Sequence, residues 1–428
     1  MCVSPHNIKA NKNTSVFLYE DLSRAEAQRR GEGIGRKERI DRKGWKRVRL
    51  GDFGEVLRGV SFDGQKDIRP QNSVQSVAIF RSNNIQDATI NHSDLIYVRK
   101  SRVNQLQLMR SNDILICMAN GSKKLVGKSA LFKGAKQEFS FGAFMGVFRC
   151  FNDTMASFIA YLLQTNQYRE YIDVLLSGSS INNLRPSDIE NLEFSIPPSS
   201  EQLRIANTLK LCDDHISALQ SLIAKYGAIK KATVNLLLKP KPGWRRVKLG
   251  DVTETSSGGT PSRNEDSYYQ GSIPWFTTSE LCDESLYDSK EHISQEALQN
   301  SSAKIFPKGT LLLAMYGATI GKLGVLTKPA ATNQACCAIK CGSDVETAFL
   351  FQVLYSRRQE IIALGCGAGQ PNISQQIIKN LDLVLPPLPE QRKIAAQIAA
   401  IDKVLNDCKK QLDKAKNLKQ GMMSYFFG

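Results

Sequence analysis

The sequence predicts an α+β fold. Two globular modules joined by two long antiparallel coiled-coil helices are expected, in a pseudo-twofold, near-circular arrangement. Three observations predict it. Four sequence blocks recur in the same order, short strand-like runs fill each copy, and each copy ends in an apolar stripe at four-three spacing.

The recurrence comes first because it sets the size of the unit. GWKRVRLGD (Gly44 to Asp52) returns as GWRRVKLGD (Gly243 to Asp251). AIFRSNNI (Ala78 to Ile85) lines up with PWFTTSEL (Pro274 to Leu281). DILICMANG…VGKSALF (Asp113 to Phe132) has its counterpart in TLLLAMYGATIGKLGVL (Thr310 to Leu326). SGSSINNL (Ser177 to Leu184) matches CGAGQPNI (Cys366 to Ile373), and IPPSSEQLRIA (Ile196 to Ala206) matches LPPLPEQRKIA (Leu385 to Ala395). One such match is easy by chance; four in register are not. The chain is therefore two copies of a unit of roughly 190–200 residues, a domain with an appendage. The copies run from Gly44 to Leu238 and from Gly243 to Phe427.

Within each copy, β-branched or alternating runs predict strands: SVAIF, LIYVR, DILICM and GVFRC, then SYYQGSIPWF, TLLLAMY and ACCAIKC. Ser257-Gly258-Gly259-Thr260-Pro261, Phe306-Pro307-Lys308-Gly309 and Asn120-Gly121 mark turns. ASFIAYLLQTNQYREYID and ETAFLFQVLYSRRQEII predict one short helix each.

Each copy ends in a long helix, opened by Pro197-Pro198-Ser199-Ser200-Glu201 and by Pro386-Pro387-Leu388-Pro389-Glu390. Proline and an acidic residue both suit a first turn. The apolar stripes are Ile205, Leu209, Cys212, Ile216, Leu219, Ile223 and Tyr226, and Ile394, Ile398, Ile401, Leu405, Cys408, Leu412 and Ala415. These are the a and d positions of a helix-helix seam. The competing reading packs each helix on a separate core. About 38 residues span roughly 57 Å. With only Lys239 to Pro242 before the second module, the helices must run antiparallel, and the modules are expected at opposite ends of a rod. The resulting domains are a basic N-terminal extension, 1–43; globular module 1, 44–199; spacer helix 1, 200–242; globular module 2, 243–389; and spacer helix 2, 390–428. For residues 1–43 a disordered basic extension, a mis-set start codon and an extra contact all stay open.

The chain has 428 residues and a formal charge of +16, which points to a polyanionic partner. The excess is uneven: 44–199 carries nineteen Lys/Arg against fourteen Asp/Glu, while 243–389 carries thirteen against fourteen. Ten cysteines include no CxxC pair, and Cys336, Cys337 and Cys341 offer no zinc spacing, so free thiols and no metal are expected. No stretch reaches membrane length and no leader is evident, which predicts a cytoplasmic protein with no membrane contact.

Two related but unequal modules on a stiff spacer suit a split, asymmetric target, and double-stranded DNA is such a target. A scaffold holding two protein partners is the alternative. Candidate phosphate contacts are Ser122, Lys123, Lys124 and Lys128 in the glycine loop of the third block, with Lys322 matching Lys128. Arg81, Asn83 and Asn84 follow the second block and could pair with base edges; Thr277 and Thr278, with Ser279, occupy those places in the second copy. Ser262 and Arg263 sit in a turn, and Tyr316 ends a strand.

No catalytic set emerges. Gly121 to Ser129 has one residue too many for a phosphate-binding loop, and Gly317 to Leu323 has one too few. No NPPY-type tetrapeptide and no G-x-G-x-x-G after a strand is present, and His6, His92, His215 and His292 lie in unrelated settings.

GWKRVRLGD, MYGATIGKLGVL, NQACCAI, GAGQPNIS and PPLPEQRKIA resemble the specificity (S) subunits of type I restriction-modification systems, over residues 44 to 428. The first copy departs where SGSSINNLRPSDI replaces the Gly-Gln-Pro-Asn form. The resemblance implies a non-catalytic DNA-binding subunit whose two domains read the halves of a bipartite site. It implies that the helices, the central and C-terminal conserved regions, bind two modification subunits. These carry S-adenosylmethionine and methylate adenine N6 after flipping it. Restriction subunits join with ATP and Mg, and no cofactor sits on this chain. The specificity subunit of a related fused restriction-methylation system is a further alternative.

Overall fold

The structure, a computed structural model, describes residues 44–70, 72–177, 182–365 and 372–428. The expectation for residues 1–43, half of the Ser177–Leu184 block and most of the Cys366–Ile373 block lie outside the described residues.

The chain divides into two compact units, one built from the chain up to Leu219 with Gln411–Gly428, the other from Gln220–Lys410. Each long helix thus contributes a portion to both units.

In the first unit the strand that opens the repeat, Lys46–Arg49, pairs antiparallel with Glu193–Ile196, the strand just before the first long helix. This closure ties the beginning of the module to its end. Beyond it stand two four-stranded sheets. One orders Gly54–Arg58, Met145–Cys150, Ile114–Cys117 and Ser129–Leu131, all antiparallel. The other orders Phe139–Phe141, Ser76–Phe80, Ile96–Arg99 and Ile68–Arg69, with the first pair parallel.

The second unit repeats the plan. Arg245–Lys248 pairs antiparallel with Asp382–Leu385. A five-stranded sheet orders Thr253–Ser257, Cys336–Cys341, Leu311–Ala314, Leu323–Leu326 and Glu284–Leu286. Ile273–Phe276 again takes a parallel neighbour, Ala330–Thr332, on one side and an antiparallel one, Glu291–Ile293, on the other. The register is preserved: Met145 lies opposite Cys117 in the first unit, and Cys336 opposite Ala314 in the second.

Three local expectations are corrected. The helix predicted from Ala156 is two helices, Ala156–Leu162 and Asn166–Ser177. Thr165 breaks it, donating through Oγ1 to Leu162 O (2.7 Å) and accepting from the Tyr168 N–H (3.2 Å), a local bond that competes with the helical ladder. The counterpart likewise splits into Thr347–Ser356 and Arg358–Leu364. Of SYYQGSIPWF, only Ile273–Phe276 is a strand, and Asp266–Tyr269 forms a 3-10 turn.

The long helices run Ser199–Leu237 and Leu388–Phe427. The Pro-Pro-x-x-Glu-Gln openings have a physical reason. Gln202 Nε2 donates to Pro197 O (2.7 Å) and Gln391 Nε2 to Pro386 O (2.9 Å), so each glutamine folds back to hold the proline two positions before its helix. Both glutamines are buried.

Along both helices the apolar stripe is the less exposed face. Leu219, Leu405, Cys408 and Ala415 are buried, and Ile216, Ile223, Ile401 and Leu412 are half-buried. The ends of the stripe, expected in a two-helix seam, belong to module cores. Ile205 and Leu209 pack in the first core with Phe158 and Ile159, joined there by Met422 and Phe426 from the second helix. Ile394 and Ile398 pack in the second core with Phe349 and Leu350, joined by Val234 from the first helix. Each core is therefore closed by both helices, and burial of these side chains supplies about 1.5–3 kcal/mol apiece. Within the first unit, Arg204 meets Phe426, Cys212 meets Met422 and Asp213 meets Lys419, so the helices are antiparallel there. Within the second, Lys230 pairs with Asp402 (2.6 Å) in the same sense.

Candidate nucleic-acid interface

Three of the recurring blocks converge on one surface in each module, and the backbone bonds that join them are duplicated. In the first module Leu184 N–H donates to Met118 O (2.8 Å), Met118 N–H to Phe144 O (2.9 Å), and Gly142 N–H to Phe80 O (3.0 Å). In the second, Ile373 N–H donates to Met315 O (2.9 Å), Met315 N–H to Ala335 O (2.9 Å), and Asn333 N–H to Phe276 O (3.0 Å). Isolated bridges Ala119↔Asn183 and Tyr316↔Asn372 complete the match. The glycine loop of the third block is shaped by Gly127 (φ +84°) and Gly321 (φ +78°), left-handed positions that a side chain would strain.

In the first module the loop is drawn together by asparagines. Asn120 Nδ2 donates to Ser82 Oγ (3.0 Å), and Asn182 Nδ2 donates to Gly121 O (3.1 Å). Ser122, Lys123 and Lys124 are exposed on this loop; Lys123 Nζ donates to Leu176 O (3.2 Å). Lys128 is half-buried, its ammonium donating to Ile85 O (3.1 Å). Arg81 and Asn83 both grip Asp94, at 2.9 and 2.7 Å. Asn84 is 1% exposed, and its amide caps the Arg81 N–H and holds Asn91 O and Ser93 O. It builds the turn, so the expected base contact from Asn84 is corrected to a structural role.

In the second module Thr277 serves the same turn, with Glu280 Oε2 accepting from its N–H (2.9 Å) and its Oγ1 (3.0 Å); Thr278 is half-buried beside it. Tyr316 is 37% exposed at the edge of the glycine loop. Ser262 is exposed, and its loop joins this surface through Thr260, which hydrogen bonds Gln334. Arg263, offered as a DNA contact, is engaged within the protein. Two of its nitrogens meet Glu291 at 2.6 and 2.9 Å, and its guanidinium lies 4.1 Å from the Tyr269 ring centroid. The Arg263 fork holds the Glu291 carboxyl below the usual carboxylate range. Lys322 is paired with Asp283 (3.1 Å), which also accepts from Arg358 and from the Leu323 N–H (3.0 Å).

Asp283, Asn120, Asn182 and Phe144 were passed over in the sequence. Asp283 has φ +66° and Asp87 φ +48°; extending the second block by two residues would have paired them as a duplicated turn. Phe144 is 72% exposed, on a segment whose counterpart is Ala335. Nothing in its local pattern distinguishes it from a core aromatic.

The buried thiols are poor nucleophiles: burial pushes Cys336 and Cys337 up to about 12. Among the described residues no three His, Cys, Asp or Glu side chains gather into a metal-binding cluster, and no helix is long and apolar enough to cross a membrane.

Comparison with known proteins agrees with this duplicated plan. The model of the type I restriction modification DNA specificity domain family matches residues 42–225 and again 241–416. The StySPI type I specificity subunit of Salmonella potsdam is 25% identical over 399 residues, covering 87% of this chain and 85% of that protein. The EcoKI type I specificity subunit of Escherichia coli K12 is 26% identical over 425 residues, covering 90% and 88%. The crystal structure of the type I S subunit from M. genitalium shares the fold, with a TM-score of 0.62 at 17% identity over 92% of this chain and 98% of that one. Matched twice by the family model and along most of its length by these relatives, the chain belongs to the specificity subunits of type I restriction-modification systems.

Proposed function

We propose that this chain is a sequence-specific DNA-binding subunit in which each module reads one half of a bipartite, asymmetric site. It directs adenine-N6 methylation and restriction by partner subunits in the cytoplasm and carries out neither reaction itself. The observation that carries this reading is the duplicated convergence of the second, third and fourth blocks on one surface per module. Two surfaces with the same backbone frame but different side chains, such as Phe144 in one and Tyr316 in the other, suit two unlike half-sites. The two long helices are the surface on which two modification subunits would sit. S-adenosylmethionine, ATP and Mg then belong to the modification and restriction partners. Family membership supports the same reading.

Mapping N6-methyladenine in a host with and without this gene tests it. A split motif that vanishes with the gene is expected. An unchanged methylome in the presence of active modification subunits would overturn it. A mobility shift with those subunits present separates the scaffold alternative, which gives no sequence-dependent retardation.

A further inference from the structure

The cations around the two surfaces differ in what holds them. In the second module Lys322 and Arg358 share the Asp283 carboxylate, and both nitrogens of the Arg263 fork are on Glu291. Lys328 is on Asp288 (3.0 Å). In the first module Lys123 and Lys128 donate to the backbone carbonyls of Leu176 and Ile85, and Lys124 stands exposed beside them. A carbonyl leaves the ammonium charge in place, whereas a carboxylate cancels most of it a few ångströms away. Arg81, held by Asp94, is not part of this excess. The module totals agree, at nineteen Lys/Arg against fourteen Asp/Glu in 44–199 and thirteen against fourteen in 243–389.

We propose that the two modules divide the binding unequally. The first supplies the salt-dependent hold on the phosphate backbone through Lys123, Lys124 and Lys128. The second recognises with neutral groups, because Lys322, Arg358, Arg263 and Lys328 are bound to its own carboxylates. The proposal rests on the DNA-binding reading and deepens it. Lys304 donates instead to a neutral partner, Ser256 Oγ (3.3 Å), so its charge adds to what that module contributes.

The test is the salt slope of binding to a mixed-sequence duplex, measured for the full chain with its modification subunits. A phosphate contact contributes about 0.9 to that slope, whatever the sequence. The Lys123→Ala/Lys124→Ala double variant is expected to lose about 1–2 from the slope. Lys322→Gln is expected to leave it unchanged. Asp283→Asn, by releasing Lys322 and Arg358, is expected to steepen it. Equal losses from the double variant and from Lys322→Gln would overturn the division, as would an unchanged slope in a folded Asp283→Asn protein. If Asp283→Asn does not fold, the comparison of the first two variants still decides. A wild-type complex that binds no duplex at low salt would instead defeat the DNA-binding reading itself.

Discussion

Lys419 of the second long helix lies 2.7 Å from Asp213 of the first, and the same carboxylate accepts the Tyr161 hydroxyl at 2.8 Å. One acidic side chain thereby joins both helices to the recognition module. Burial pushes the Tyr161 phenol up, and the neighbouring Asp213 charge pushes it further, so the hydroxyl remains a donor. Lys419 is only 18% exposed, which makes its partner more valuable than a surface counter-ion. Asp213→Ala is expected to destabilise the protein by about 1–3 kcal/mol, because it strands both a half-buried cation and a phenol. Asp213→Asn, which keeps an acceptor, is expected to cost less. Urea midpoints measure both, and equal midpoints for the wild type and the alanine variant would refute the bridge.

Gln391 is a second such joint. Its Oε1 accepts the Glu346 N–H and its Nε2 donates to Asp344 O and Pro386 O, each at 2.9 Å. Gln391→Ala leaves those backbone groups without their partner at a 1% exposed position, for an expected loss of about 1–3 kcal/mol. Gln202→Ala, whose side chain holds Pro197 O, is expected to lose less. Denaturant titration of the two variants side by side checks the order.

Phe144 and Tyr316 stand exposed on the two converged surfaces. Phe144→Ala and Tyr316→Ala are each expected to weaken specific DNA binding by about 1–2 kcal/mol, the value of an apolar contact of that size. Unfolding midpoints should move by less than about 0.5 kcal/mol equivalent, as for other exposed positions. Each variant should alter the half-site of its own module and spare the other. Methylome mapping reads this directly; a change in both half-sites from one variant would contradict separate readers.

The long helices are expected to act as a spacer. Inserting one whole heptad into each, in register, adds about 10 Å, close to three base-pair steps. The half-sites should persist while the gap between them lengthens. A methylated motif with altered half-sites would refute the spacer role.

Much of the fold is legible in the linear sequence because its signals are local or periodic. The duplicated GWxRVxLGD strand, the three-four spacing from Ile205 to Tyr226 and the DILICM and TLLLAMY strands need only neighbouring residues to be recognised. The break at Thr165 escaped because it depends on a side-chain bond that competes with helical periodicity, and the one at Arg357 falls where the guanidinium donates to Asp382 O, 25 residues away. The candidate site was legible block by block but not side chain by side chain. A lysine in a glycine loop looks the same in sequence whether it is exposed, as Lys124 is, or its ammonium meets a carboxylate 39 residues away, as at Lys322.

By itself, then, the sequence determined that the protein is a duplicated unit with two long amphipathic helices and an uneven basic charge, since repetition, period and charge are properties of residue order. Only the tertiary structure decided that three blocks meet on one surface, that both helices close both cores, and that Asn84, Arg263 and Lys322 serve the protein's own framework. Apart from the Asn84 turn, whose partners lie three to nine positions away, those outcomes depend on contacts between residues tens to hundreds of positions apart, where burial and partner geometry choose among side chains that look alike in sequence.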